Sequence, residues 1–402
     1  MKHVLAALIL FVACTLGANK MILRKHEQAP ILKIHPYTSL LKQSGSVLPD
    51  RSKSANFNRL LVILVDFQEE ITNDPNTTGN GKFQLEPDPT YLYSIGSPPH
   101  DRQYFEANLD ALRYYYLAAS NGWFNLDYDV YPKDRPAYTL PNPMGYYNPP
   151  GATGAVFVAR MEEYFKASFE LADTTTPEID FGSYAHYMII HAGSDWQHDV
   201  FGDTPSDLPS FYIRVGDGKE AVVDSGNTLI SHACNVPATI SQDFRVNQSG
   251  DLTIHSGYGA LNAVIAHEFG HSVGLVDLYN VYNFQPMVGV FDIMDSGGSG
   301  VLVDELDDGS LIMVEGALPA LPGAYSKLLM FEDHFASAGY LKDIDQVALY
   351  TDLQVAASSA KQNPGSPVKP QILRFPLSAD EYILIENRNV DPDGDGGTAV
   401  FG

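Results

Sequence analysis

Cysteine is almost missing from this chain. Only Cys14 and Cys234 occur in 402 residues. A disulfide framework is therefore excluded as the basis of the fold, and removal of the segment carrying Cys14 would leave no intrachain pair. Cys234, beside His232 in "SHACNV", reads as a lone buried thiol rather than a nucleophile. Bases are scarce too: 25 Lys and Arg stand against 49 Asp and Glu, a formal charge of −24. Such a chain repels nucleic acid and anionic lipid surfaces, so nucleic acid is not expected as a partner. Beyond the N-terminus no apolar run is long enough to span a bilayer, so no stable membrane insertion of the mature chain is expected. What is present is a large apolar share, 45%, with 11% aromatic residues, enough for a sizeable core in two to three domains.

The chain starts "MKHVLAALILFVACTLGANK". A short basic start, an apolar run too short for a comfortable span and the small residues Gly17 and Ala18 predict a signal peptide over residues 1–18, hence a secreted protein. Lipid attachment at Cys14 is the lesser alternative, because Phe11 fits that signal poorly. Residues 19–55 have little periodicity and read as a pro-segment or linker.

Further on, "RLLVILVDF" (59–67) and "YAHYMIIHAG" read as buried strands. Residues 70–100, rich in Asn, Asp, Pro and Gly, read as loop, as do 141–152. Helical spacing at Phe105, Leu109, Leu112 and Tyr116 predicts a helix that stops at Ser120-Asn121-Gly122, and "WFNLDYDV" then alternates as a strand. The tyrosines at 114–116 are expected in the core. "AVFVARMEEYFKASFELAD" is an amphipathic helix, "AVVDSGNTLISHACNV" is expected to form strands, "PGAYSKLLMFE" opens a helix and "EYILIENRN" (381–389) is a strand. His191 and His198 are expected to be strand-end or surface histidines rather than ligands.

The chemistry concentrates in "AVIAHEFGHSVGLVDLYN", residues 263–280. Residues four apart share a helix face, so His267 and His271 can aim two imidazoles at one point, the spacing a zinc ion needs. Glu268 then sits as a general acid/base. Two nitrogens leave zinc short of ligands. Gly274, free to adopt φ > 0, predicts a turn that brings Asp277 in as the third, an oxygen ligand in the place where the longer zinc-protease motif has histidine. A purely structural zinc site would close its fourth position with Cys or His, so Glu268 points to catalysis. Met294, in the Gly- and Ser-rich "FDIMDSGG" after the third ligand, is expected in a methionine turn beneath the metal. At the far end "DPDGDGG" places Asp391, Asp393 and Asp395 like the start of a calcium loop. The glutamate expected at its twelfth position is missing, and it reads equally as a solvated acidic turn.

From "LLVILVDF", "YYYLAASNGWFNL", "IDFGSYAHYMIIHAG", "AHEFGHSVGLVDLY", "FDIMDSGG", "GAYSKL" and "EYILIENRN", over roughly residues 57–390, the chain resembles the immune inhibitor A-like secreted bacterial zinc metallopeptidases. The resemblance implies zinc on His267, His271 and Asp277, Glu268 as catalytic acid/base and Met294 in the methionine turn. It implies a zymogen acting on proteins or peptides. The expected fold is α+β. A zincin- or metzincin-like catalytic domain, with a mixed sheet and an active-site helix, would span residues 56–345. A smaller, partial β-rich part would occupy 346–402. The departures are loose loops near 70–100 and 301–318, and an end soon after the E-N-R strand, where a final sheet is expected to be incomplete. The rival readings are a catalytically silent metal-binding surface protein and a zinc hydrolase of a non-protein substrate.

Overall fold

The computed structural model of the chain describes residues 57–389, apart from 72–73, 90–94, 200–201, 241–244, 247–251, 254–258, 282, 284, 306–308, 310, 345–352, 360–366 and 379–380. The expected signal peptide, the segment 19–55 and the acidic turn with Asp391, Asp393 and Asp395 lie outside the described residues.

The centre is a six-stranded sheet. Its strands are β1 (Arg59–Asp66), β2 (Asp127–Tyr131), β3 (Tyr138–Thr139), β4 (His186–His191), β5 (Phe211–Arg214) and, after a small hairpin of β6 (Ala221–Val223) and β7 (Thr228–Ile230), β8 (His232–Pro237). The order is β2-β1-β4-β8-β5, with β3 also pairing with β1. Every pairing is parallel except that of β5, which runs antiparallel to β8 at the edge. Parallel strands are covered on both faces and so read as unbroken apolar runs. That is why "RLLVILVD" shows no alternation: every residue after Arg59 is buried.

Among the described residues the α-helices are α1 (Arg102–Ala119), α2 (Met144–Tyr147), α3 (Gly154–Thr175), α4 (Asn262–Ser272) and α5 (Ala324–Ala338). α1 is capped by the Asp101 carboxylate, which accepts from Tyr104 N at 3.0 Å. Successive strand residues point to opposite faces, and this sorts the helices. In β4 the His186 ring bonds Ser272 Oγ at 2.8 Å and packs on Phe269, whereas Tyr187 meets Phe169 of α3 edge-on. In β8 Cys234 Sγ donates to the Glu268 carbonyl at 3.3 Å, while Asn235 accepts from Tyr164 of α3 at 2.8 Å. So α4 covers one face and α3 the other. α1 packs beside α4, its Tyr116 hydroxyl donating to Ala266 O at 2.7 Å. Tyr115 and Tyr116 are core residues as expected; Tyr114 is exposed.

Smaller β pieces lie outside this sheet: β9 (Arg245–Val246) with β10 (Leu252–Thr253), the hairpin β11 (Val301–Glu305) and β12 (Leu311–Glu315), and β13 (Leu341–Asp343), β14 (Ile372–Pro376) and β15 (Tyr382–Glu386) in one sheet. The hairpin corrects the loose loop expected over 301–318. Two apolar runs flank a turn around Gly309, whose φ of 79° suits glycine. The expected strand from Trp123 starts only at Asp127. Trp123 stacks on Phe57 and His334 instead, and Phe124 N donates back to Ser120 Oγ at 2.8 Å, which ties these residues to the end of α1. The loop expected over 141–152 contains α2. All described residues fall within one compact unit, Leu32–Gly402. Among the described residues the chain is mixed α and β, with mixed pairing in both the central sheet and the β13-β14-β15 sheet and with few helices, compatible with the α+β class. No described helix is long and apolar enough to cross a membrane.

Candidate metal centre

α4 begins without a side-chain cap. Backbone groups of the residues after β12 take that role: Ala263 N donates to Gly316 O at 3.1 Å, and Asn262 Nδ2 to Ala317 O at 3.2 Å. The helix ends as the glycine spacing predicts. Leu275 N donates to Gly270 O at 2.8 Å and Gly274 N to His271 O at 3.1 Å, the paired bonds of a Schellman cap. Gly274 carries a φ of 106° there. The reversed chain delivers Asp277 to the face that holds the two histidines.

His267 and His271 stand one turn apart, their rings 5.0 Å between centroids and nearly perpendicular at 86°. Each Nδ1 is bound to a backbone carbonyl: His267 to Ile293 O at 2.9 Å, His271 to Leu275 O at 3.1 Å. Carbonyls only accept, so each Nδ1 carries a proton and each ring turns its Nε2 inward. Both Nε2 atoms meet the Asp277 carboxylate, with Oδ1 3.3 Å from His267 Nε2 and 3.1 Å from His271 Nε2. One atom from each of the three residues lies within 4.8 Å of the others. Three electron-rich atoms so close repel unless a proton or a cation lies among them. Zinc bonds of about 2.0–2.1 Å at tetrahedral angles would set ligand atoms about 3.3 Å apart. The donor set N, N, O and its spacing fit that ion.

The segment 292–295 forms the floor. Ile293 gives its carbonyl to His267, and Leu278 N donates to Met294 O at 2.9 Å, fastening the turn to the chain just past Asp277. Met294 is fully buried against Gly270, where a Cβ would stand 2.7 Å from its Sδ. Two acids not singled out from the sequence shape this floor. Asp292 accepts from Met294 N at 2.9 Å, and Asp295 Oδ2 accepts from Met287, Val288 and Gly289 N at 2.7, 2.7 and 2.9 Å. The signal was local: short acids beside glycines commonly bind turn N–H groups.

Glu268 follows His267 on α4, is 5% exposed, and its Oε2 has no hydrogen-bond partner among the described residues. Tyr279, also missed in the sequence, lies parallel to the His267 ring at 6.3 Å and hydrogen-bonds Asp277. Burial, then the negative charge of Asp277 and Glu268, hold its phenol far above the usual range, so it is a fixed donor at neutral pH. Tyr212 of edge strand β5 meets the His271 ring at 6.0 Å.

The remaining candidates stand apart from the trio. Cys234 is a buried thiol whose Sγ donates to the Glu268 carbonyl. His191 is a buried strand-end histidine whose Nδ1 bonds Ala192 O at 2.9 Å. His198 binds Asp195 at 2.5 Å; burial disfavours its charge, but Asp195 outweighs this and raises its pKa. Among the described residues the only group of three close metal-type side chains is His267, His271 and Asp277. Neither the known protein-family models nor the curated protein sequences give a match to this chain.

Proposed function

We propose that this chain is a secreted zinc-dependent endopeptidase with a zincin-like catalytic fold of the immune inhibitor A type. The observation that carries the reading is the convergence of His267 Nε2, His271 Nε2 and Asp277 Oδ1 at 3.1 and 3.3 Å, with both Nδ1 atoms committed to carbonyls. A zinc ion held by these three supplies Lewis acidity and lowers the pKa of a water to about 7.

The chain's own residues supply the rest. Glu268 presents a buried carboxylate next to the trio, placed to take a proton from the attacking water and return one to the leaving amine. Tyr279 orients the Asp277 carboxylate by its hydrogen bond. The Ile293 and Leu275 carbonyls hold the histidines in one tautomer.

Peptide is favoured as substrate by β5. Among the described strands it has a neighbour only on the β8 side, and its Tyr212 reaches the His271 ring. An extended peptide can add to such an edge through main-chain hydrogen bonds. The test is casein or gelatin hydrolysis by the purified protein with and without a chelator, repeated with Glu268→Ala. The reading requires chelator-sensitive activity that zinc restores and Glu268→Ala lacks. Hydrolysis that a chelator leaves intact contradicts it.

A further inference from the structure

α5 places a lysine where a core-facing helix calls for an apolar residue. Lys327 is 1% exposed, with Leu328 and Phe331 buried near it in sequence. Its Nζ donates to Ser358 O at 3.4 Å. Burial, with Arg388 adding to it, holds the ammonium down at about 8 against the upward pull of Glu386 and Asp292.

Two carboxylates from distant segments flank the start of this helix. A Cβ on Gly323 would stand 3.1 Å from Asp292 Oδ2 and 3.4 Å from Glu386 Oε1. Asp292 is 2% exposed; its Oδ2 accepts from Gly323 N at 2.7 Å and Ser326 Oγ at 2.6 Å. Glu386, on β15, accepts from Ser358 Oγ at 2.8 Å and lies 3.6 Å from Arg388 Nη1. Arg388 in turn donates to Pro322 O at 3.3 Å and Leu321 O at 3.1 Å, just ahead of α5. Two acids and two bases therefore balance in one mostly buried cluster.

Such clusters rarely add net stability, because desolvation offsets the attraction and apolar residues of the same volume pack as well. Their better-supported use is to fix one geometry. Here the geometry leads to the metal centre. Asp292 Oδ1 accepts from Met294 N at 2.9 Å, and the adjacent Ile293 carbonyl holds the His267 ring at 2.9 Å.

We propose that Lys327, Glu386 and Arg388 are positioning residues of the metal centre: through Asp292 they fix the turn 292–295, and through the Ile293 carbonyl they aim His267. This rests on reading His267, His271 and Asp277 as zinc ligands. It gives strand β15 a part in a site formed more than a hundred residues earlier in the chain, because "FDIMD", "GAYSK" and "IENR" meet at one partly buried cluster.

The test is zinc affinity, by competition with a chromophoric chelator on the full chain, together with the visible spectrum of the cobalt(II)-loaded protein. Folding is checked by circular dichroism. Lys327→Met and Glu386→Gln each weaken zinc binding by about 10–100-fold, the usual effect of removing an outer partner of a metal ligand, and shift the cobalt bands. The double variant, with one acid and one base left, binds zinc more tightly than Lys327→Met alone. Lys166→Met, which breaks only a surface pair with Glu170, changes nothing. Wild-type affinity and spectrum in folded Lys327→Met or in Glu386→Gln overturn the proposal, as does a double variant no better than Lys327→Met. If Lys327→Met does not fold, Glu386→Gln decides alone. His267→Ala separates the two claims. If it loses zinc while Glu386→Gln binds as wild type, the network role fails and the metal site stands; if it keeps zinc, the metal reading itself fails.

Discussion

Gly270 and Met294 leave each other no room to grow: a Cβ on the glycine would lie 2.7 Å from the methionine sulfur and 3.1 Å from the Tyr116 hydroxyl. The helix carrying His267 and His271 therefore rests directly on the turn behind it. Gly270→Ala is expected to lose about 1–3 kcal/mol to overpacking, more than the helix gains from alanine. Thermal melting checks this, and zinc affinity should fall with it. An alanine variant as stable as wild type would mean that the turn can shift freely.

Gly274 carries a φ of 106°, where a side chain is strained. Gly274→Ala should cost about 1–3 kcal/mol and displace Asp277, so that stability and metal content fall together. Unchanged zinc content in that variant would detach the turn from the site.

Glu268→Ala should keep zinc and lose hydrolysis by about 10²–10⁴-fold, because the proposed function has the carboxylate move protons and not ligate. Activity near the wild-type level, with zinc content confirmed, would remove Glu268 from its assigned role.

His191 predicts an acid-side weakness of the fold. Burial holds its pKa down at about 4, against 6.5 for the free side chain, with the Ala192 carbonyl and Asp195 pulling the other way. Below about pH 6.5 the unfolded chain takes up a proton that the folded one refuses, so stability falls as pH drops from 6.5 towards 4. The total loss from this group approaches about 3 kcal/mol. His191→Leu should flatten that part of the profile in denaturant melts at stepped pH. An equally steep profile in the variant would assign the effect to other groups.

Much of this arrangement was legible in the sequence, and the rest was hidden for physical reasons. The burial of β1 on both faces shows as an apolar run, the turn after His271 as a glycine, and the aim of the two histidines as a spacing of four, because each is a local rule. The hairpin β11–β12 also had a local signal, a glycine, Gly309, between two apolar runs, but the acidic residues around it in the sequence disguised it as a loop. Tyr279 acts by contacts that no short window reveals, and so do the bonds that Asp292 takes from Gly323 and Ser326. The cluster of Asp292, Lys327, Glu386 and Arg388 is invisible in sequence: its members carry surface-type charges, and two buried and two half-buried side chains come together only when β15 folds back onto α5.

The most direct test of the account is the metal content of purified, folded Asp277→Ala beside the wild type. Two histidines alone leave zinc too few protein ligands. The account predicts about one zinc per wild-type chain and little in the variant, with activity lost in parallel, and substantial recovery of zinc in Asp277→His. A full equivalent of zinc in Asp277→Ala would place the third ligand elsewhere and contradict the reading of the turn at Gly274.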